Sequence, residues 1–244
     1  MFLFAPVVLV VLFSFNSGTA TGLPFQGFSF KWYQTLFDNP EFSTALTNSL
    51  IATVVTIIFV LIAGTAAALA LSKHRSRFLD ALSSLVVAPL VIPGLFLGLA
   101  LFSFFNKVGV ELSLITVIIG QSLVTVPLVV VIVNSRLANT DTAMLEASRD
   151  LGATGFQSFR KVLLPLIAPT LLGAALLVAA WSLDEVIVTL WTNGGHTTLP
   201  VMIFAMVRQG TNPSINAIAS LVLVTTTLAT IVASRFVSPR DLTG

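Results

Sequence analysis

Five long apolar runs restrict what this sequence can fold into more than any other feature. They occupy residues 46–71, 78–105, 112–132, 162–191 and 215–237. Each is long enough to cross a lipid bilayer as an α-helix, which needs roughly 20 residues. None alternates apolar and polar residues with a period of two, so the runs do not predict the strands of a β-barrel. The sequence therefore predicts membrane-spanning helices.

Composition supports the same class. Hydrophobic residues fill 56% of the 244 positions and charged residues only 9%, whereas soluble domains carry about a quarter charged residues. A sixth apolar run, residues 1–15, is shorter than a full span and lacks the basic segment of a signal peptide. We expect that the sequence begins inside its first span. We predict an all-α, polytopic membrane protein with six transmembrane helices in a single domain, residues 1–244.

Several kinds of chemistry find no support in the residues. The absence of cysteine excludes disulfides and thiolate metal sites, and His74 and His196 lie too far apart to predict a metal site. The net charge of +2 is too small to indicate nucleic-acid binding. No histidine or lysine is placed to activate a hydroxyl, so no catalytic set is predicted. No G-x-x-x-x-G-K-[ST] loop is present, so we expect no cofactor on this chain and any ATP hydrolysis on another one.

Residues 16–43 are polar and rich in turn-forming residues, and they carry Trp32 and Tyr33. Such aromatic residues are typical of a membrane–water interface, but packing within a half-buried loop is an equal alternative.

Two apolar runs contain residues of functional interest. Pro89 and Pro93 predict kinks in the run 78–105, the third span when residues 1–15 are counted as the first. This span either lines a pathway or serves helix packing. The run 162–191, which is the fifth span when residues 1–15 are counted as the first, contains the adjacent carboxylates Asp184 and Glu185, and Asp184 lies roughly 33 Å along a helix counted from Val162.

Carboxylates within a membrane usually face a cavity or a partner, and Trp181 and Trp191 could help to hold an amine by cation–π contact. Adjacent helical residues point about 100° apart, so we expect one carboxylate, Asp184 before Glu185, to face a pathway. The alternative is that the pair caps the helix or forms a salt bridge at its end.

The polar segment 136–161 contains a short helical pattern. Glu146 and Arg149 share one helix face, Gly152 predicts the helix end, and a tight turn follows. An ordinary loop and a helix that docks on something outside the membrane are both open at this point. If this segment is cytoplasmic, nine basic residues lie inside and three outside, which matches the bias of membrane proteins. The inside set is Lys73, Arg75, Arg77, Arg136, Arg149, Arg160, Lys161, Arg235 and Arg240, and the outside set is Lys31, Lys107 and Arg208. Both termini are then cytoplasmic.

The same segment resembles the "EAA" motif of binding-protein-dependent ABC importer permeases: E-A-A, three residues, G, nine residues, I-x-L-P. Glu146, Ala147, Gly152, Leu164 and Pro165 are in register, with Ser148 in place of the second alanine and Val162 in place of isoleucine. Nearly the whole chain is similar to the second permease subunit of the spermidine/putrescine importer family. The similarity is carried by residues 28–33, 48–50, 145–153, 182–185 and 199–203, and by Gly210, Pro213, Asn216 and Ala217.

The resemblance implies a MetI-like type I importer permease fold with a cytoplasmic coupling helix in a bacterial inner membrane. It assigns ATPase coupling to the motif, represented by Glu146, Ala147, Ser148, Arg149, Gly152, Leu164 and Pro165. It also implies a second homologous permease in a heterodimer, two ATPase subunits that hold ATP and Mg²⁺, and an extracytoplasmic solute-binding protein.

The substrate implied is a polyamine, with opines, amino-acid derivatives and phosphonates as alternatives within the same class. Two other classes compete with an importer permease. An ion-coupled secondary transporter would leave the motif spacing as coincidence, and the halves show no obvious inverted repeat. An intramembrane enzyme would need the catalytic set that the sequence lacks.

Overall fold

The computed structural model describes residues 5–19, 22–72, 77–140, 143–210 and 213–236. The beginning of the first apolar run, the last residue of the sixth predicted span and the basic residues Lys73, Arg75 and Arg240 lie outside these ranges. Within them, regular structure is almost entirely helical, apart from one isolated β-bridge between Asn16 and Phe28. The helices are α1 Ala5–Ser14, α2 Lys31–Phe37, α3 Pro40–Ser72, α4 Arg77–Val87, α5 Gly94–Val108, α6 Leu114–Ala138, α7 Ala143–Asp150, α8 Gly155–Ser158, α9 Leu164–Asp184, α10 Ile187–Thr192, α11 Leu199–Gln209 and α12 Ser214–Phe236.

Three long helices, α3, α6 and α9, form the centre of the fold. Their shared core contains small and β-branched side chains, which allow close helix packing in a membrane. These are Val60 and Ala68 of α3, Val129 and Val133 of α6, and Ala174 and Val178 of α9. Gly64 of α3 lies so close to α6 that a Cβ atom there would stand 2.7 Å from Val129 Cγ1.

Interhelical hydrogen bonds show how these three helices are directed. Thr56 of α3 contacts Gln121 of α6, and Gly64 lies opposite Val129, so α3 and α6 run parallel. Ser182, near the end of α9, bonds to Gln121, while Arg136 at the end of α6 bonds to the carbonyl of Leu166 at the start of α9. α9 therefore runs antiparallel to both, and segment 143–163 lies at the opposite end of the bundle from α10.

The long helices match three of the predicted spans. Pro40–Ser72, Leu114–Ala138 and the continuous helical stretch Gly155–Asp184 are each long and apolar enough to cross a membrane, and α4 with α5 gives a fourth if the bent pair is one span. Among the described residues, α1, α11 and the part Ser214–Val224 of α12 are shorter apolar helical stretches.

The third predicted span is broken rather than gently kinked. Residues 78–105 form α4, a 3₁₀ turn at Ala88–Leu90 and α5, and the two helices meet at 103°. Pro89 lies in the 3₁₀ turn, and Pro93 precedes the first residue of α5. A proline lacks the N–H that would continue the helix, so two prolines four residues apart disrupt consecutive turns.

The fifth predicted span is also not a single helix. We predicted one helix over residues 162–191, but α9 ends at Asp184 and α10 begins at Ile187. Glu185 between them has extended backbone angles, with φ −73° and ψ 114°. Its side chain accepts a hydrogen bond from Val188 N–H at 2.6 Å, which satisfies a free donor in the first turn of α10.

A second buried cluster joins α2, α11 and α12 to the start of α3. Trp32 is only 9% exposed and packs with Leu36, Phe42, Met202 and Ile218. The Trp32 indole N–H donates to the carbonyl of Asn16 at 2.8 Å. The structure thus places Trp32 in packing within the loop region, the second of the two alternatives that the sequence left open.

Candidate functional site

The polar segment between α6 and α9 contains a short, well-terminated helix. α7 has Glu146 in its first turn and Arg149 in its last, which suits the helix dipole at each end. Gly152 has φ +83°, and its N–H bonds to Arg149 O while Ala153 N–H bonds to Ser148 O. These two bonds are the Schellman arrangement, so the predicted helix stop at Gly152 is confirmed.

Ser148 connects α7 to α8. Its hydroxyl donates to Leu145 O at 2.8 Å, so the 2.7 Å bond between the hydroxyl oxygens of Ser148 and Ser158 has Ser158 as its donor. α8 is itself started by a capping box in which Thr154 and Gln157 satisfy each other's backbone N–H groups. Because alanine in place of Ser148 could not make this bond, the serine holds α7 and α8 together.

A π-helical turn, Phe159–Leu163, connects α8 to α9. Leu164 N–H donates to Phe159 O, five residues back, and Pro165 follows without an N–H to donate. Pro165 in a regular α-helix would leave the carbonyl of residue 161 without its partner and would clash with it, so a widened turn here is physically reasonable. Leu164 and Pro165 therefore lie at the entry of α9, one π turn after the α7–α8 unit.

The surface of the α7–α8 unit is unusually apolar for a polar segment. Leu151 is 89% exposed, Phe156 70% and Met144 53%. Glu146, Ala147, Arg149 and Gly152 are exposed as well, whereas Ser148 is half-buried. Three large apolar side chains exposed within residues 144–156 favour an interaction site over an ordinary loop.

The other end of α9 carries the two carboxylates. Asp184 is exposed at the last residue of α9, while Glu185 is partly buried at the break and caps α10. For Glu185 the structure thus shows the capping role that the sequence left as an alternative. Trp181 is partly buried one turn before Asp184.

Trp191 belongs to the contact between α10 and α5. Its ring lies 5.8 Å from that of Phe102, and a Cβ atom on Gly98 would stand 2.9 Å from Trp191 Cδ1. On α6, a Cβ on Gly120 would stand 2.9 Å from Val188 Cγ1. Glycines at these two positions let α10 sit directly against both neighbouring helices, and the broken third and fifth spans pack on each other there.

A buried polar network at the break was missed from the sequence. Thr53 donates to Ser182 Oγ at 2.8 Å, and Ser182 donates to Gln121 Oε1 at 2.7 Å. Gln121 Nε2 in turn donates to Thr189 Oγ1 at 3.3 Å. The network joins α3, α9, α6 and α10. The signal available in the sequence was a glutamine in the middle of an apolar run, where polar side chains usually bond across helices. In the structure this glutamine is only 1% exposed.

Comparison with known proteins identifies the family. Residues 60–240 match the family model described as "Binding-protein-dependent transport system inner membrane component". The chain belongs to this family. It is 33% identical over 243 residues to the spermidine/putrescine transport system permease protein PotC of Escherichia coli K12, covering 99% of this chain and 91% of PotC. It is 34% identical over 230 residues to the putrescine transport system permease protein PotI of the same organism, covering 91% and 82%.

A solved structure supports the fold. A chain of a bacterial ABC transporter that imports the acidic polysaccharide alginate superposes with a TM-score of 0.73 at 17% identity, covering 98% of this chain and 91% of that one. The predicted resemblance to an ABC importer permease is therefore confirmed, and the fold is the MetI-like permease fold. The family is one of inner-membrane transport components, and its relatives named above are permeases rather than enzymes.

Proposed function

We propose that this chain is one of two permease subunits of an ATP-driven importer that carries a polyamine, spermidine or putrescine, across a bacterial cytoplasmic membrane. The observation that carries the proposal is the similarity to polyamine permeases over 99% of the chain. The full assembly has a second homologous permease, two ATPase subunits that bind ATP and Mg²⁺, and an extracytoplasmic solute-binding protein. The chain forms one domain, residues 1–244, with six spans and both termini in the cytoplasm.

The α7–α8 unit is the proposed coupling site. Its exposed Leu151, Phe156 and Met144 supply apolar contact for an ATPase groove, and Glu146 and Arg149 supply charges at its rim. Movement of the ATPase is transmitted from α7 to the membrane spans through the chain that connects α7 to α9. α7 is bonded to α8 through Ser148, and α8 continues through the π turn into Leu164, Pro165 and α9. Ala147 and Gly152 complete the motif by giving close approach and a fixed helix end.

The proposed pathway passes the far end of α9. Asp184 is exposed there and attracts a cationic substrate, and Trp181 one turn earlier offers an aromatic face to an amine. Glu185 and Trp191 contribute by holding α10, through the cap on Val188 N–H and the contact with Phe102. The break at Pro89 and Pro93 gives the third span the bend that brings α5 against α10. Another small solute of the same importer class remains the alternative substrate.

The test is uptake of labelled spermidine and putrescine into proteoliposomes that contain the complete complex. Wild type, Glu146→Ala and Asp150→Ala are compared with and without ATP on the ATPase side. Asp150 is a matched control, because it is also an exposed carboxylate of α7 but occupies one of the positions that the motif leaves unspecified. We expect ATP-dependent uptake that Glu146→Ala abolishes and Asp150→Ala leaves nearly unchanged.

The other outcomes separate the parts of the proposal. Equal loss in both variants would contradict a specific role of the motif. If polyamines are not transported but another ligand of the binding protein stimulates ATP hydrolysis, the substrate is wrong and the importer class stands. Uptake that follows an ion gradient and ignores ATP would overturn the importer class itself.

A further inference from the structure

The side chain of Gln121 spans the break in the fifth predicted span. On one side its Oε1 accepts a hydrogen bond from Ser182 of α9 at 2.7 Å, two residues before Asp184. On the other side its Nε2 donates to Thr189 of α10 at 3.3 Å, four residues after Glu185. A single amide group therefore holds both helices that flank the carboxylate pair.

The bridge is anchored on more than one helix. Thr53 of α3 donates to Ser182 Oγ at 2.8 Å, and Thr56 of the same helix lies 3.5 Å from Gln121 Oε1. Gln121, Ser182 and Thr189 are 1%, 4% and 0% exposed, so lipid and water have little access to the network. In such surroundings each hydrogen bond is strong, and a polar group left without a partner destabilises the fold. The network therefore favours one arrangement of the four helices.

The chain between α9 and α10 has few means of fixing its own geometry. Only Glu185 and Val186 separate the two helices, and neither is a proline or a glycine that would set the bend. The cap from Glu185 to Val188 starts α10 but does not orient it relative to α9. The orientation must come from contacts with other helices, and Gln121 hydrogen-bonds to the helices on both sides of the break.

We propose that Gln121 is a positioning residue: its amide sets the angle between α9 and α10 and thereby the place of the Asp184–Glu185 carboxylates. The effect of Gln121 on transport rests on the proposed function, in which Asp184 attracts the substrate and Gln121 acts by positioning Asp184. For the geometry of the break it stands on the hydrogen bonds alone.

The variants must distinguish a role of Gln121 in bridging α9 and α10 from a role in merely giving buried polar groups a hydrogen-bond partner. Gln121→Met keeps the side-chain length and removes both bonds, but it also leaves the hydroxyl of Ser182 without its acceptor. The triple variant Gln121→Met, Ser182→Ala, Thr189→Val removes these three polar side chains together, which relieves most of the desolvation penalty without restoring the bridge. Thr53, which donates to Ser182, can then donate to a backbone carbonyl of its own helix instead. Thr189→Val alone cuts only the link to α10 and serves if the larger changes prevent assembly.

Thr125→Val is the matched control. Thr125 is a buried hydroxyl one turn further along α6, and it bonds to the backbone carbonyl of Gln121 at 2.7 Å rather than across helices. Valine has nearly the same shape as threonine. The control therefore removes a buried hydrogen bond of the same helix and leaves the break untouched.

The first readout is a distance between spin labels on α9 and α10 in the complete complex. The chain has no cysteine, so Leu177→Cys and Leu190→Cys, which are 54% and 41% exposed, can be labelled once the partner subunits are cysteine-free. We expect one narrow distance distribution for wild type and Thr125→Val, and a broadened or shifted one for Gln121→Met, Thr189→Val and the triple variant. A narrow, unshifted distribution in the triple variant would overturn the proposal.

The second readout is the kinetics of ATP-dependent uptake of labelled putrescine. We expect the KM of the bridge variants to rise about tenfold with kcat changed less than about twofold, because binding of the substrate is weakened and the ATP-driven step is not. Disturbed distances with unchanged KM would support the positioning of the break and contradict the role of Asp184 in the proposed function. Absence of putrescine uptake by wild type would contradict the polyamine substrate, and the distances would still decide the role of Gln121.

Discussion

Gly152→Ala tests the coupling segment at the point where its geometry is most demanding. Gly152 has φ +83°, in the left-handed region that costs other L-residues about 1–2 kcal/mol. A Cβ atom there would meet nothing within 4 Å, so no collision contributes to the effect. The expected destabilisation of the α7 end is therefore the backbone term alone, about 1–2 kcal/mol. This corresponds to a factor of roughly five to thirty in the population of the opened helix end.

Hydrogen exchange measures this quantity directly. The N–H groups of Gly152 and Ala153 close the end of α7 on Arg149 O and Ser148 O, so their exchange reports opening of that end. We expect exchange in a peptide covering residues 150–156 to be roughly five to thirty times faster in Gly152→Ala, because exchange follows the population of the open form. ATP-dependent uptake should fall in parallel, since the proposed coupling surface is built on this helix.

Two further substitutions make the test specific. Gly155→Ala is the matched control, because a Cβ there also meets nothing within 4 Å, but the residue is helical and its φ is not positive. It should leave exchange and uptake close to wild type. Gly152→Asn should lie between the two, since asparagine visits the left-handed region more readily than alanine. Equal effects of alanine at positions 152 and 155, or none at 152, would refute the reasoning.

Three other predictions follow from the described contacts. Ser148→Ala and Ser158→Ala should each weaken the α7–α8 unit by about 1 kcal/mol. The double variant should be no worse than Ser148→Ala, which already loses both hydrogen bonds of Ser148, and additive effects on exchange in α7 would contradict the bond between the two serines. Gly64→Ala should destabilise the complex by about 1–3 kcal/mol in thermal unfolding, because the added Cβ collides with Val129. Gly173→Ala in α9 should be tolerated, since a Cβ there meets nothing within 4 Å. A similar loss of stability in both variants would argue against close packing of α3 on α6. Asp184→Asn should raise the KM for putrescine several-fold with kcat little changed. Glu185→Gln should change this KM little, because the glutamine keeps an oxygen that can accept from Val188 N–H. A larger rise in KM for Glu185→Gln than for Asp184→Asn would assign substrate attraction to Glu185 instead of Asp184.

Local features of the fold could be predicted from the sequence because their causes lie close together along the chain. The apolar length of residues 46–71 and 112–132 is enough to predict α3 and α6. α3 extends beyond these limits at both ends, as Pro40–Ser72, whereas α6, Leu114–Ala138, begins two residues inside them and ends six residues later. The end of α7 depends on Gly152 alone, since the left-handed turn is local and glycine adopts it without strain.

The two broken spans show where such local reasoning ends. Pro89 and Pro93 identify where the third span loses its helical hydrogen bonds, but the 103° angle depends on α5 packing against α10 through Gly98 and Trp191. The fifth predicted span, residues 162–191, contains no proline or glycine at its break, and residues 186–191 continue the apolar pattern. Nothing in that run distinguishes one long helix from two short ones, because the bonds that favour the break come from α3 and α6.

Dependence on contacts between helices also explains why the polar network could not be predicted from any one apolar run. Thr53, Gln121, Ser182 and Thr189 lie in four different helices, and each alone resembles a polar residue that bonds to its own helix backbone. Thr125 and Thr192 occur in similar sequence surroundings, but their hydroxyls donate to backbone carbonyls of their own helices, those of Gln121 and Val188. What separates the two kinds is the parallel register of α3 with α6 and the antiparallel course of α9, which bring the four side chains to one level. A glutamine differs from these hydroxyls in having a donor and an acceptor far enough apart to reach two helices at once, and that is the property on which the geometry of the α9–α10 break depends.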